Sequence, residues 1–140
     1  TLSDSFCVDR HRDDFRALVA EQVDLLFGNA DEVCSLYEVS SFDEAIGRLR
    51  RDCHLAAVTH GKEGSVIVTG DELVRVAAQP VAKVVDTTGA GDLFAAGFLF
   101  GYTNGRDLPE CGRLGSLAAA EIISHVGPRP LVELRRLIEV

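Results

Sequence analysis

Residues Asp86-Thr87-Thr88-Gly89-Ala90-Gly91-Asp92 set two carboxylates and two hydroxyls around a run of small residues. The apolar stretch 81–85 before them reads as extended, and the stretch after them reads as a long helix to about Tyr102. At a strand-to-helix joint, Gly89-Ala90-Gly91 would let a ligand approach the backbone closely. The first amides of a helix lack internal partners and point outward. With the helix dipole they suit an anion, phosphate best. Asp92 follows within the first turn, beside that anion and not beneath it. A carboxylate there can take the proton of a hydroxyl that attacks a terminal phosphate. Phosphoryl transfer asks little else of a protein beyond alignment, charge neutralisation and a metal ion.

Rival readings of the glycines fit less well. A Walker loop needs G-x-x-x-x-G-K-[ST], a string that does not occur. A dinucleotide fingerprint needs a third glycine where Phe94 stands. Gly89 and Gly91 alone would also serve a tight turn, but the whole string, continued by Ala95-Ala96-Gly97, is more specific than that.

The elements that must carry this joint alternate between helix and strand. A helix is expected over 9–22, with Phe15, Leu18 and Val19 on one face. A short buried strand follows at 23–27, then a helix over 30–37. Ser40 or Ser41 caps the next helix, with Glu44 completing a capping box, and that helix runs to about Arg51. A second buried strand at 55–59 leads into the turn His60-Gly61-Lys62-Glu63-Gly64. Strands at 65–69 and 73–77 read as a hairpin. Helices are expected over 108–125 and, after the breaker Gly127-Pro128-Arg129-Pro130, over 131–138. The pattern implies an α/β sandwich with helices on both faces of the sheet.

The chain has 140 residues, enough for one domain, and a formal charge of −8 from 22 acidic and 14 basic residues. That balance offers no basic field for nucleic acid. It leaves room for a nucleotide held locally by backbone amides. The longest apolar run, 93–102, is too short to span a bilayer, so no membrane partner is expected. Cys7, Cys34, Cys53 and Cys111 lack zinc-ligand spacing and read as buried free thiols of a cytoplasmic protein.

The string DTTGAGDLFAAGF at 86–98 resembles the second signature of the ribokinase-like (PfkB) carbohydrate kinases. Asn29-Ala30-Asp31-Glu32 is similar to that family's N-x-x-E motif, and Thr59-His60-Gly61-Lys62-Glu63-Gly64 to its T-x-G-x-x-G turn. The opening Ser3-Asp4-Ser5-Phe6-Cys7-Val8-Asp9-Arg10-His11 resembles an adenosine-kinase-like branch. The resemblance implies a ribokinase-like three-layer α/β/α sandwich, and ATP-dependent phosphoryl transfer to a hydroxyl of a sugar or nucleoside. It implies Asp92 as the catalytic base and the amides of Gly89, Ala90 and Gly91 as the anion hole. Asn29 and Glu32 would organise Mg²⁺ and phosphate, Glu32 through water. Thr59, Gly61 and Gly64 would meet the nucleotide, with Lys62 within reach of a phosphate. Val81 and Val84, with the helix near Ala118 and Glu121, would line the adenine slot. Asp86, Thr88 and Gly127 match ligand positions for a monovalent cation, K⁺.

Members of that family are considerably longer. Residues 1–140 therefore read as the C-terminal portion only, the nucleotide-binding and catalytic part of such a kinase domain, with the N-terminal substrate and lid part absent. The chain contains no methionine, and Thr1-Leu2-Ser3 reads as the tail of a strand. The full-length protein is expected to be a kinase, and a homodimer in some members. The alternative expectation is a truncated nucleotide-binding fragment without kinase activity of its own. An incomplete parallel sheet would expose an apolar edge, so these residues alone are expected to fold poorly or aggregate unless a partner chain completes the sheet.

Overall fold

The computed structural model describes residues 1–138. They divide into two units, Thr1–His60 with Val66–Val74, and Gly61–Ser65 with the residues from Arg75 onward.

The first unit opens with α1 (Ser5–Arg10) and α2 (Arg12–Glu21). Asp4 caps α1, its Oδ1 accepting from the Cys7 N–H at 2.8 Å. The single helix expected over 9–22 is corrected on two counts: helix begins earlier, on this cap, and it breaks at His11, where φ is −126° and ψ is 32°. Val19 is buried on the inner face, whereas Leu18 is half exposed. The first strand, β1 (Leu26–Asn29), lies downstream of the expected 23–27. The amides of Gln22 and Val23 instead fold back onto Leu18 O and close α2. Thr1-Leu2-Ser3 is not a strand, although Leu2 N–H donates to Phe27 O at 3.1 Å.

Capping residues also set α3 (Ala30–Tyr37) and α4 (Phe42–Asp52). Asn29 Oδ1 accepts from Glu32 N–H at 2.9 Å, and Ser41 Oγ from Glu44 N–H at 3.3 Å. Three further strands, β2 (Leu55–Thr59), β3 (Ser65–Thr69) and β4 (Leu73–Val76), complete a sheet of order β1-β2-β3-β4. β1 and β2 are parallel, with Leu26 opposite Ala56 and Asn29 opposite Thr59. The helices α3 and α4 supply the crossover that a parallel pair needs, while the later connections are too short for one, so those pairs are antiparallel and the sheet is mixed. Leu26, Ala56, Val58, Val66 and Val68 face Val33, Leu36, Ile46 and Leu49 of the helices. Alternate residues Ala57 and Ile67 point the other way and are equally buried, so both sheet faces are covered.

The second unit is built on α5 (Ala90–Thr103) and α6 (Leu108–Ile123), with a short α7 (Arg135–Ile138). Asp107 caps α6, its Oδ1 accepting from Glu110 N–H at 2.9 Å. α5 and α6 meet almost backbone to backbone. A Cβ on Gly97 would lie 2.4 Å from Leu114 O, and one on Gly115 would lie 2.8 Å from Phe94 O. Phe94, Phe98, Leu114, Ala118 and Ile122 are buried in this unit. Residues 81–85 form no strand; Val85 N–H donates at 2.8 Å to Ile123 O, one of the end carbonyls that α6 cannot satisfy itself. α6 stops short of His125, and α7 fills only the end of the expected 131–138. No helix among the described residues is long and apolar enough to cross a membrane. Cys53 and Cys111 are buried, Cys7 and Cys34 half-buried, and all four are free.

Candidate active site

Gly89 is the N-cap of α5 and adopts the left-handed conformation, φ 80° and ψ 2°. An L side chain there is strained, and a Cβ would also lie 3.1 Å from Pro128 Cβ. Among the described residues no side chain caps the helix. Ala90 N–H is already engaged, donating to Thr87 O at 3.1 Å, and Gly89 O accepts the first helical bond from Leu93 N–H at 2.9 Å. Among the described residues no bond engages the amides of Gly89, Gly91 or Asp92. The donors left open at the helix start are therefore Gly89, Gly91 and Asp92, where sequence reasoning named Gly89, Ala90 and Gly91. A Cβ built on Gly91 meets nothing within 4 Å, so the space over this turn is open. Asp92 is exposed, and its carboxylate makes no hydrogen bond or ion pair among the described residues.

Asp86, Thr88 and Gly127 come together in the second unit. Asp86 Oδ1 accepts from Thr88 N–H at 2.9 Å and from Thr88 Oγ1–H at 2.7 Å, and Oδ2 accepts from Gly127 N–H at 2.9 Å. The Gly127 amide first, then the two Thr88 donors, pull the Asp86 carboxyl down to about 2, with nearby His125 adding to the effect. Asp86 thus remains ionised throughout the neutral range. Gly127 belongs to a non-helical strap, residues 124–131, whose Pro128 presses on Gly89.

Sequence reasoning did not foresee what holds this strap. Glu121 Oε1 accepts from Leu131 N–H at 2.9 Å and lies 3.0 Å from His125 Nε2. A carboxylate only accepts, which assigns a proton to that nitrogen. The Glu121 side chain is only 9% exposed. One signal was available: Glu121 is a lone charge inside Leu117-Ala118-Ala119-Ala120 and Ile122-Ile123.

In the first unit, Asn29 and Glu32 form a reciprocal helix cap. Asn29 Oδ1 accepts from Glu32 N–H, and Asn29 N–H donates back to the Glu32 carboxylate. Glu32 is 4% exposed, its Oε2 is buried without a partner, and burial pushes its carboxyl above the usual range. A buried carboxylate oxygen without a partner is a fit donor for a hydrated cation such as Mg²⁺.

The turn after β2 is a single 3₁₀ turn over Gly61–Glu63. Gly64 has φ 98°, and a Cβ there would lie 2.0 Å from Val76 O, so its backbone lies against that of β4. His60 packs against Phe42 with the rings tilted and 4.3 Å between centroids. Thr59 is partly buried, Gly61 and Lys62 are exposed, Val81 is partly buried and Val84 is half exposed.

A family model described as pfkB family carbohydrate kinase matches residues 2–134. The chain is 41% identical over 112 residues to an uncharacterized sugar kinase of Archaeoglobus fulgidus, an alignment covering 79% of this chain and 44% of that protein. Among solved structures it is similar to adenosine kinase from Sinorhizobium meliloti, with 57% identity and a TM-score of 0.96, covering 99% of this chain and 42% of that one. A probable sugar kinase from Rhizobium etli gives 51% identity, a TM-score of 0.96 and the same two coverages. The chain thus spans 42–44% of the length of these proteins. Its architecture is the corresponding part of the ribokinase-like α/β fold.

Proposed function

The chain belongs to the pfkB family of carbohydrate kinases, and from that premise we propose that the protein carrying it transfers the terminal phosphoryl group of ATP to a hydroxyl of a nucleoside or ribose-type sugar. The observation that carries the reading is the start of α5: open amides at Gly89 and Gly91, open space above Gly91, and the unengaged carboxylate of Asp92 in the same turn. The nucleoside preference draws support from the likeness to an adenosine kinase.

In this reading Asp92 takes the proton of the acceptor hydroxyl, whose oxygen then attacks the γ-phosphorus. The bond from that phosphorus to the β,γ-bridging oxygen breaks, giving ADP and a phosphate monoester. The amides of Gly89 and Gly91 and the α5 dipole offset the charge on the transferring group. Glu32 would hold Mg²⁺ through water, Asn29 fixing its carboxylate from the helix cap. The metal, when bound, neutralises phosphate charge. Gly61 and Gly64 give backbone contact to the nucleotide beside Thr59, and Val81 and Val84 give apolar contact to its base. Asp86, Thr88 and Gly127 would hold a K⁺ ion. Four free cysteines suit a reducing cytoplasm, and a homodimer of the full-length protein is part of the same proposal.

The test is ADP release by the protein carrying this chain, with ATP, Mg²⁺ and a panel of nucleosides, pentoses and hexoses. Release that depends on a nucleoside or ribose supports the proposal. Nucleotide binding without release for any acceptor replaces it with the alternative of a nucleotide-binding fragment without kinase activity of its own.

A further inference from the structure

We infer that Glu121 is a positioning residue for the anion seat, acting through the 124–131 strap. The inference rests on the kinase reading above.

Three observations in the second unit carry it. The carboxylate reaches the strap near both ends, accepting from Leu131 N–H at 2.9 Å and from His125 Nε2–H at 3.0 Å. Between those two points the strap supplies the Gly127 N–H that bonds Asp86 Oδ2 at 2.9 Å. It also supplies Pro128, whose Cβ and Cα lie 3.1 and 3.3 Å from where a side chain on Gly89 would begin. Glu121 therefore tensions a segment that touches the phosphate loop at its first residue and at its helix cap.

The carboxylate itself sits in a costly place. Its side chain is 9% exposed, and Oε2 is buried without a partner. A buried, half-satisfied carboxylate costs a fold stability. Here the remaining bonds hold the strap. The strap in turn meets the loop at Asp86 and at Gly89, whose amide acts on the transferring phosphoryl group. Loss of Glu121 should therefore appear in kcat.

The test uses three variants of the protein that carries this chain. Glu121→Ala removes both strap bonds, and Leu131→Pro removes one donor at a residue that is 74% exposed. Glu121→Gln keeps an acceptor oxygen. The readouts are kcat, KM for ATP, and hydrogen exchange at the Gly127 amide. Expected are a fall in kcat of about a hundredfold for Glu121→Ala, the size of a ~1 Å misplacement, and a smaller fall for Leu131→Pro. KM for ATP changes little in Leu131→Pro, which leaves Glu121 in place; Gly127 exchanges faster in both, and Glu121→Gln recovers most of the loss. If Glu121→Ala does not fold, Leu131→Pro decides alone. Near-normal kcat in the folded variants, failure of Gln to restore it, or unchanged Gly127 exchange overturns the inference. If the unsubstituted protein phosphorylates no acceptor, the kinase reading fails, and Gly127 exchange alone then decides whether Glu121 holds the strap.

Discussion

Gly91→Ala should make the protein more stable and much less active. Gly91 is the second residue of α5 and has helical φ, so its glycine is not required by the backbone. A Cβ there meets no atom within 4 Å. Alanine at a helical position is better than glycine by about 0.5–1 kcal/mol. In a kinase-sized protein that raises Tm by about 2 °C. The catalytic effect has the opposite sign. The Cα–Cβ bond tilts toward the helix N-terminus, into the space where an oxygen accepting from the Gly91 N–H would sit about 2.9 Å away. A methyl group there moves the phosphoryl group by ~1 Å, which costs about a hundredfold in rate, or about 2.7 kcal/mol of barrier. Thermal melting and steady-state ADP release from one preparation measure both. A variant that is stabilised and fully active refutes the anion seat; a destabilised variant refutes the open space above Gly91.

Two further substitutions test the units separately. Gly97→Ala puts a Cβ 2.4 Å from Leu114 O and must push α5 from α6, costing about 1–3 kcal/mol or more; urea unfolding should show a lower midpoint with unchanged slope. Glu32→Gln should be pH-dependent. Because burial raises the Glu32 carboxyl above its ordinary 4.5, the folded state resists ionisation. That penalty is absent below the ordinary value and grows as pH rises above it. The Gln variant should therefore gain stability relative to the parent at pH 7 compared with pH 4, and need more Mg²⁺ for turnover. A variant less stable at pH 7 than at pH 4, relative to the parent, would reverse the sign and sink this account of Glu32.

Where local chemistry decided the structure, the sequence was sufficient. Asn29 and Ser41 cap their helices as their side chains dictate, and β2 and β3 fall where continuous apolar runs end at glycine turns. The misplaced elements depend on distant partners. Val81, Val84 and Val85 have strand-forming side chains, but among the described residues no strand pairs with them, and the Val85 amide goes to the end of α6 instead. The run at 23–27 shifted because the Val23 amide closes the preceding helix. Asp4 was overlooked as a cap because the periodic apolar pattern begins only after it. In the candidate site, the string 86–92 was legible because its glycines and carboxylates act within one turn. Gly127 was grouped with Asp86 only through the resemblance, since the two meet across 41 positions of sequence; what anchors the strap was not legible, because nothing local to Glu121 says what its carboxylate holds.

The central claim is that Asp92, at the open start of α5, is the base of a phosphoryl transfer. Steady-state kinetics of Asp92→Asn in the protein carrying this chain tests it most directly. The account predicts a fall in kcat of about 10²–10⁴-fold, with KM for ATP within a few-fold of the parent, since the amides of Gly89 and Gly91 are untouched. A variant that keeps kcat within about threefold, or that loses ATP affinity and not turnover, would contradict it.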